Sequence, residues 1–370
     1  MKEIYNEMLK NMGEVKRNQS LDILRFICMV CVIMNHVCDQ YIIHPQGNMH
    51  IIFACEAVSR IAVPCFLMFT GYFLIDSTKI ENKREFYRHS FYKLLLPTLL
   101  FSIVFTIWYL ITEGVPEFIR TSSTPILTIK ALTREWLTGW SGHHTWYMFM
   151  FVTLYMLLPY MAPIIRSFER FGKWKYAAWS IIVLFLIEGN HCLNASLFSF
   201  TLPRTITFFA FVITGYACKV IVNGKKNNLL AILFISCGLF ITIGKGLLLA
   251  DYVESAGIYT NYLLHSYWSP LSLPAYGLIF AGFALLNVNY SVSVAARYSF
   301  YVYLLHKCVL EVLYFIQRHY FVEISEKPEI IVPLLTIATL VVSLLICRPY
   351  VSIEKKCIEY IKQRIALLTR

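Results

Sequence analysis

LDILRFICMVCVIMNH, residues 21–36, is the stretch on which the fold turns. Nine consecutive apolar residues separate Arg25 from Asn35, and the apolar character extends over about 20–38. That length suits one crossing of a hydrocarbon core by a helix. Comparable runs recur near 50–75, 91–111, 144–165, 177–187, 204–222, 229–250, 265–287, 298–317 and 330–347. Of the 370 residues, 58% are apolar and only 15% charged, with a mean hydropathy of +0.59. Soluble domains usually carry about 25% charge. The expectation is therefore an all-α integral membrane protein of about ten transmembrane helices. It would have a cytoplasmic N-terminal segment (1–19), a membrane domain (20–347) and a cytoplasmic amphipathic tail (348–370). No stretch is left for a separate soluble domain.

The net charge of +11 invites a nucleic-acid reading, but the distribution of the charges excludes it. With both termini placed in the cytoplasm, 22 of the 33 Lys and Arg fall in inside segments. The outside loops hold only Arg120, Lys130, Arg134, Arg318 and Lys327. This is the positive-inside asymmetry of a multi-pass protein with an even number of spans. The first apolar run follows a polar segment and has no small-residue cleavage site, so it reads as a retained helix rather than a signal peptide. Most of the eleven cysteines fall inside spans. Cys28 and Cys31 form a CxxC on a helix without a second pair, which reads as buried thiols, not as a metal or redox centre. No His-x-x-x-His or acidic cluster supplies a metal site. The stretch 112–143 contains an amphipathic run, Ile126 to Leu137, suited to the outer surface, and Asn194–Ser196 is a sequon that matters only in a eukaryotic secretory host.

Ionisable groups retained in hydrocarbon are candidates for function. Arg25 and His36 are eleven residues apart, which returns them to one helix face, separated by roughly 16 Å along the axis. Asp22 lies close to the same stripe. Spacing alone leaves a second reading open, with Arg25 snorkelling to the headgroups and His36 in a buried polar contact. In the second span Glu56 precedes Arg60 by four residues, the spacing of an intrahelical ion pair, which could also line an outer-facing cavity. Pro64 and Gly71 are expected to break or kink that span. The densest basic stretch, ENKREFYRHSFYK, carries Arg84, Arg88 and Lys93; these could bind phosphate or serve only to set topology. His306 falls about 13 Å into its span by helix rise, with Lys307 and Glu311 as a pair one turn apart. Lys245 is expected to snorkel outward.

Taken together, these segments resemble the acyltransferase-3 family of membrane O-acyltransferases. The first span has the family's Arg, ten residues, His pattern in Arg25 and His36. AVPCFLMFTGYFL is similar to its VPxFFxxSGY segment, with Thr70 where Ser is usual. FYRHSFYKLLLP resembles its basic stretch before a proline, with Lys93 in place of the commoner Arg. HHTWYMFMFVTLYMLLP, containing Trp146, and YSFYVYLLHKCVL, containing Tyr303 and His306, resemble two later segments. The matches run in family order over about 20–350.

The resemblance implies an enzyme that moves an acyl group, usually acetyl, from cytoplasmic acetyl-CoA or another acyl-CoA. The acceptor would be a hydroxyl of a cell-surface or lipid-linked glycan. A sugar hydroxyl needs a positioned base, and His36 is the candidate. Arg25, Arg84, Arg88 and Lys93 would hold CoA, with His306 as a second pocket residue and Glu56, Arg60, Trp146 and Tyr303 as further pocket candidates. CoA would be a co-substrate and no cofactor would be permanently bound. The implied setting is a multi-pass protein of the bacterial inner or plasma membrane, in contact with lipids and not nucleic acid. The chain stops 23 residues after its last predicted span, so either it completes transfer alone or a separate extracytoplasmic partner finishes it. The rival class is a polytopic transporter or flippase, against which stands the lack of a repeated half with matching broken helices.

Overall fold

A computed structural model describes residues 18–43, 47–109, 146–192, 204–257, 262–290, 298–321 and 327–368, together with Val292 and Ala296. The expected surface helix at 126–137, the sequon at 194–196 and His143 and His144 lie outside them, as do residues 1–17 of the N-terminal segment. Among the described residues the protein is all-helical. Twelve helices of eight or more residues are α1 (Gln19–Ile43), α2 (Met49–Ser59), α3 (Ala62–Leu74), α4 (Lys83–Ser90), α5 (Leu96–Tyr109), α6 (Trp146–Arg170), α7 (Trp174–Cys192), α8 (Phe209–Val222), α9 (Asn228–Ala256), α10 (Ser272–Leu285), α11 (Ser299–Tyr320) and α12 (Pro328–Leu368). Six helical segments are long and apolar enough to cross a membrane: α1, α2 with α3, α6, α9, α11 and α12. Helices α8 and α10 are apolar but shorter.

Local chemistry sets the boundaries. Asn48, Asn82 and Asn227 cap α2, α4 and α9, each side chain accepting from a backbone N–H three residues on. Between α2 and α3 the helix is interrupted at Arg60–Ile61. Pro64, four residues beyond Arg60, has no N–H to offer the Arg60 carbonyl and its ring crowds that oxygen. Gly71 does not share in the break, contrary to expectation: it lies within α3, packed against the backbone of α8 at Val212. Gly215 of α8 is likewise packed against the backbone of α3 at Met68. A missing side chain here permits close helix approach, the use small residues have in membrane interiors. In the first turn of α5, Pro97 similarly denies a hydrogen bond to the Lys93 carbonyl, and just before it the chain widens into a π-turn over Phe91–Leu95.

Hydrogen bonds define two ends of the bundle. At one, Ser20 of α1 donates to the Leu286 carbonyl after α10 (2.5 Å), where Lys226 also donates (2.9 Å). Asp76 after α3 pairs with Lys219 of α8 (2.7 Å), Glu81 with Arg166 of α6 (3.3 Å), and Glu354 of α12 accepts from Tyr301 near the start of α11 (3.3 Å). At the other end, His50 of α2 meets Asp251 of α9 (2.8 Å), and Arg318 of α11 meets Gln40 of α1 (3.1 Å). The start of α1 and the Glu354 region of α12 thus share the first, basic end.

A further expectation is corrected. Lys245 does not snorkel outward: it is 4% exposed and its ammonium donates to the Ser272 hydroxyl. That partner lies in α10, so the side chain turns into the bundle rather than along its own helix axis. Helix α12 continues for 41 residues through position 348, from the expected membrane domain into the expected tail. Glu354 is buried against Tyr301, so this part of the tail packs on α11 rather than lying apart from the bundle.

Candidate active site

Two cavities open into the basic end of the bundle. The larger, about 890 Å³, is walled by residues of α4 and the π-turn, among them Arg88, His89, Tyr92 and Lys93. The smaller, about 320 Å³, has Arg25, Thr70, Tyr147, Ser299 and Tyr303 in its wall. Leu74 and Tyr155 belong to both, so the cavities adjoin. The π-turn sets this up, because an extra residue in the turn changes the direction of Lys93 relative to Arg88.

Arg25 enters the smaller cavity from α1. Its guanidinium lies over the Phe69 ring at 4.9 Å and bonds Asp22 at 3.3 Å. Aromatic faces and one carboxylate hold the fork in place while leaving it able to meet a further anion.

From this cavity a line of rings leads along the bundle. Tyr147 of α6 and Tyr303 of α11 have ring centroids 5.6 Å apart. Tyr303 is 5.8 Å from His306, one turn further along α11. His306 stacks on His36 of α1, with centroids 5.2 Å apart and planes 28° apart. The two histidines named from the sequence are therefore a pair. They differ in access: the His36 side chain is 17% exposed, whereas His306 is fully buried. His306 Nδ1 faces the carbonyls of Tyr303 (2.6 Å) and Val302 (3.2 Å). Carbonyls only accept, so Nδ1 carries the hydrogen and Nε2 a lone pair. Tyr314 of α11 fixes the pair's level by donating to the His36 carbonyl at 3.1 Å.

One side chain beside His36 was missed in the sequence. Asp39, three residues on, places Oδ2 3.1 Å from His36 Nδ1. An acid at i+3 from a candidate base shares its helix face, and that was the available signal.

The other candidates take different places. Glu56 and Arg60 form the expected ion pair, but away from both cavities; His265 joins them, its Nε2 3.0 Å from the same carboxylate oxygen. Arg60 also lies over the Tyr267 ring at 5.3 Å. His265 and Tyr267 lie 209 and 207 residues beyond Glu56 and Arg60, a separation at which sequence periodicity carries no information. Arg84 is exposed on α4 and lines neither cavity. Trp146 is at the start of α6 against Phe208, with its neighbour Tyr147 in the cavity wall instead. Glu311 accepts from the Trp108 indole at 2.8 Å.

The described helices thus form an apolar bundle with cationic cavities at one end and a histidine pair in its interior. The acyltransferase domain family matches residues 18–348, nearly the whole chain, and the protein belongs to that family. It is a multi-pass membrane acyltransferase. No match was found among curated proteins or solved structures.

Proposed function

We propose that the protein transfers an acyl group, acetyl in the simplest case, from cytoplasmic acyl-CoA to a hydroxyl of a cell-surface or lipid-linked glycan. The observation that carries this reading is the continuity of the two cavities. Together they lead from exposed cations at Arg88 and Lys93, past Arg25, to Tyr303, whose ring adjoins the His306 that stacks on His36. A CoA thioester matches that order, with phosphates at the wide basic mouth and the thioester arm in the narrower aromatic cavity. His36, the partly exposed ring, takes the hydroxyl proton as the oxygen bonds to the thioester carbonyl carbon. The C–S bond breaks, and the same proton passes to the departing thiolate.

In this reading the basic end of the bundle faces the cytoplasm and the chain crosses ten times, in a bacterial inner or plasma membrane. The 22 to 5 division of Lys and Arg supports that orientation. Reporter fusions after Lys175 and after residue 368 should report cytoplasm, and a fusion after Thr121 should report the outside. An external signal after residue 368 would overturn the orientation.

Donor binding is testable without the acceptor. CoA should raise the thermal midpoint of the detergent-solubilised protein, since a ligand bound only by the native state stabilises it. Salt should weaken this protection, because contacts at the exposed mouth are screened. Arg25→Ala should lose most of the protection while its midpoint without CoA changes little. If CoA fails to protect the wild type at low salt, the donor is something else.

A further inference from the structure

His36 and His306 stack, both belong to helices that meet at the bundle interior, and either ring could in principle take a proton. Both cannot readily do so, because like charges at this separation disfavour each other. Something must decide which ring becomes the cation. His306 offers its Nδ1 hydrogen to backbone carbonyls, a neutral environment. His36 instead has Asp39 Oδ2 at 3.1 Å from Nδ1. That carboxylate is itself held. Asn35 Nδ2 donates to the same Oδ2 at 3.5 Å, and the Ser59 hydroxyl of α2 donates to Asn35 Oδ1 at 3.0 Å. The chain Ser59–Asn35–Asp39–His36 thus crosses from α2 to α1 and ends at one nitrogen.

We propose that Asp39, fixed by Asn35 and Ser59, is the positioning residue that makes His36, and not His306, the proton acceptor. An ionised carboxylate only accepts, so it keeps the hydrogen on His36 Nδ1 and the lone pair on Nε2. It also compensates the positive charge that appears when Nε2 takes the acceptor proton. This is the division of labour by which an acid behind an imidazole sets tautomer and orientation without itself being protonated. Asp39 touches no substrate in this scheme, and the inference rests on His36 being the base.

Membrane vesicles supplied with radiolabelled acetyl-CoA, read as label entering the vesicle glycan, give both a maximal rate and a KM for the donor. Asp39→Asn should lower the maximal rate about 10²-fold, because the amide can donate to Nδ1 and favour the wrong tautomer. Its KM for acetyl-CoA should stay within about two-fold, and Asp39→Glu should recover part of the rate. Asn35→Ala, which loosens the carboxylate without removing it, should show a smaller loss with the same unchanged KM. A structural role would instead lower protein yield and raise the donor KM together, without rescue by Glu. An Asp39→Asn protein at full rate beside an inactive His36→Ala protein would overturn this inference and leave the base assignment intact. Full rate in His36→Ala would overturn the base assignment itself. Should Asp39→Asn not accumulate, Asn35→Ala at full rate would likewise sink the proposal.

Discussion

His36→Ala is expected to abolish nearly all acyl transfer while leaving a protein that inserts, folds and binds donor. A positioned proton acceptor typically contributes about 10²–10⁴-fold in rate. The substitution leaves a small apolar side chain that a membrane helix accommodates. His36 is bordered by His306 on one side and is partly exposed on the other, and Tyr314 bonds its backbone carbonyl rather than its imidazole. Mass spectrometry of surface glycans, with CoA protection of the purified variant, would check both halves. Normal acylation by a well-expressed His36→Ala protein would rule out the mechanism.

The second large effect concerns folding. A methyl group at Gly215 would enter the Met68 carbonyl, and one at Gly71 would enter the Val212 carbonyl; both obstacles are backbone. Backbone cannot swing aside as a flexible side chain can, so α3 and α8 would have to separate. Overpacking of this kind costs about 1–3 kcal/mol, sometimes more. Gly215→Ala and Gly71→Ala should each lower the thermal midpoint in detergent and the yield of folded protein. Gly244→Ala in α9 is the control, since nothing lies within 4 Å of the added carbon. Equal midpoints for Gly215→Ala and Gly244→Ala would refute the close-approach account.

Much of this arrangement was legible in the sequence because it follows from chain-local rules. Arg25 and His36 share a helix face by arithmetic, and the Glu56–Arg60 pair and the interruption ahead of Pro64 depend on neighbours four residues away. What failed were questions of direction across helices. Lys245 was placed near a helix end and sent outward, but its partner Ser272 comes from α10, 27 residues later. His265 could not be joined to Glu56, because no periodicity links residues 209 apart. The role of His306 was open until the stacking showed its partner. Asp39 was the one omission the sequence could have prevented, since i+3 is a helical neighbour.

The tyrosine pair between the cavity and the histidines has a consequence for the membrane itself. Tyr147 and Tyr303 are both buried, with rings in contact. If donor and acceptor come from opposite sides, as proposed above, the enzyme must not become a leak for protons and ions between them. A partition of two packed rings is impermeable to hydrated ions, yet it is only a few ångströms thick. On the proposed reaction the acceptor oxygen must still touch the thioester carbon, so this ring contact has to open for transfer and close again behind it.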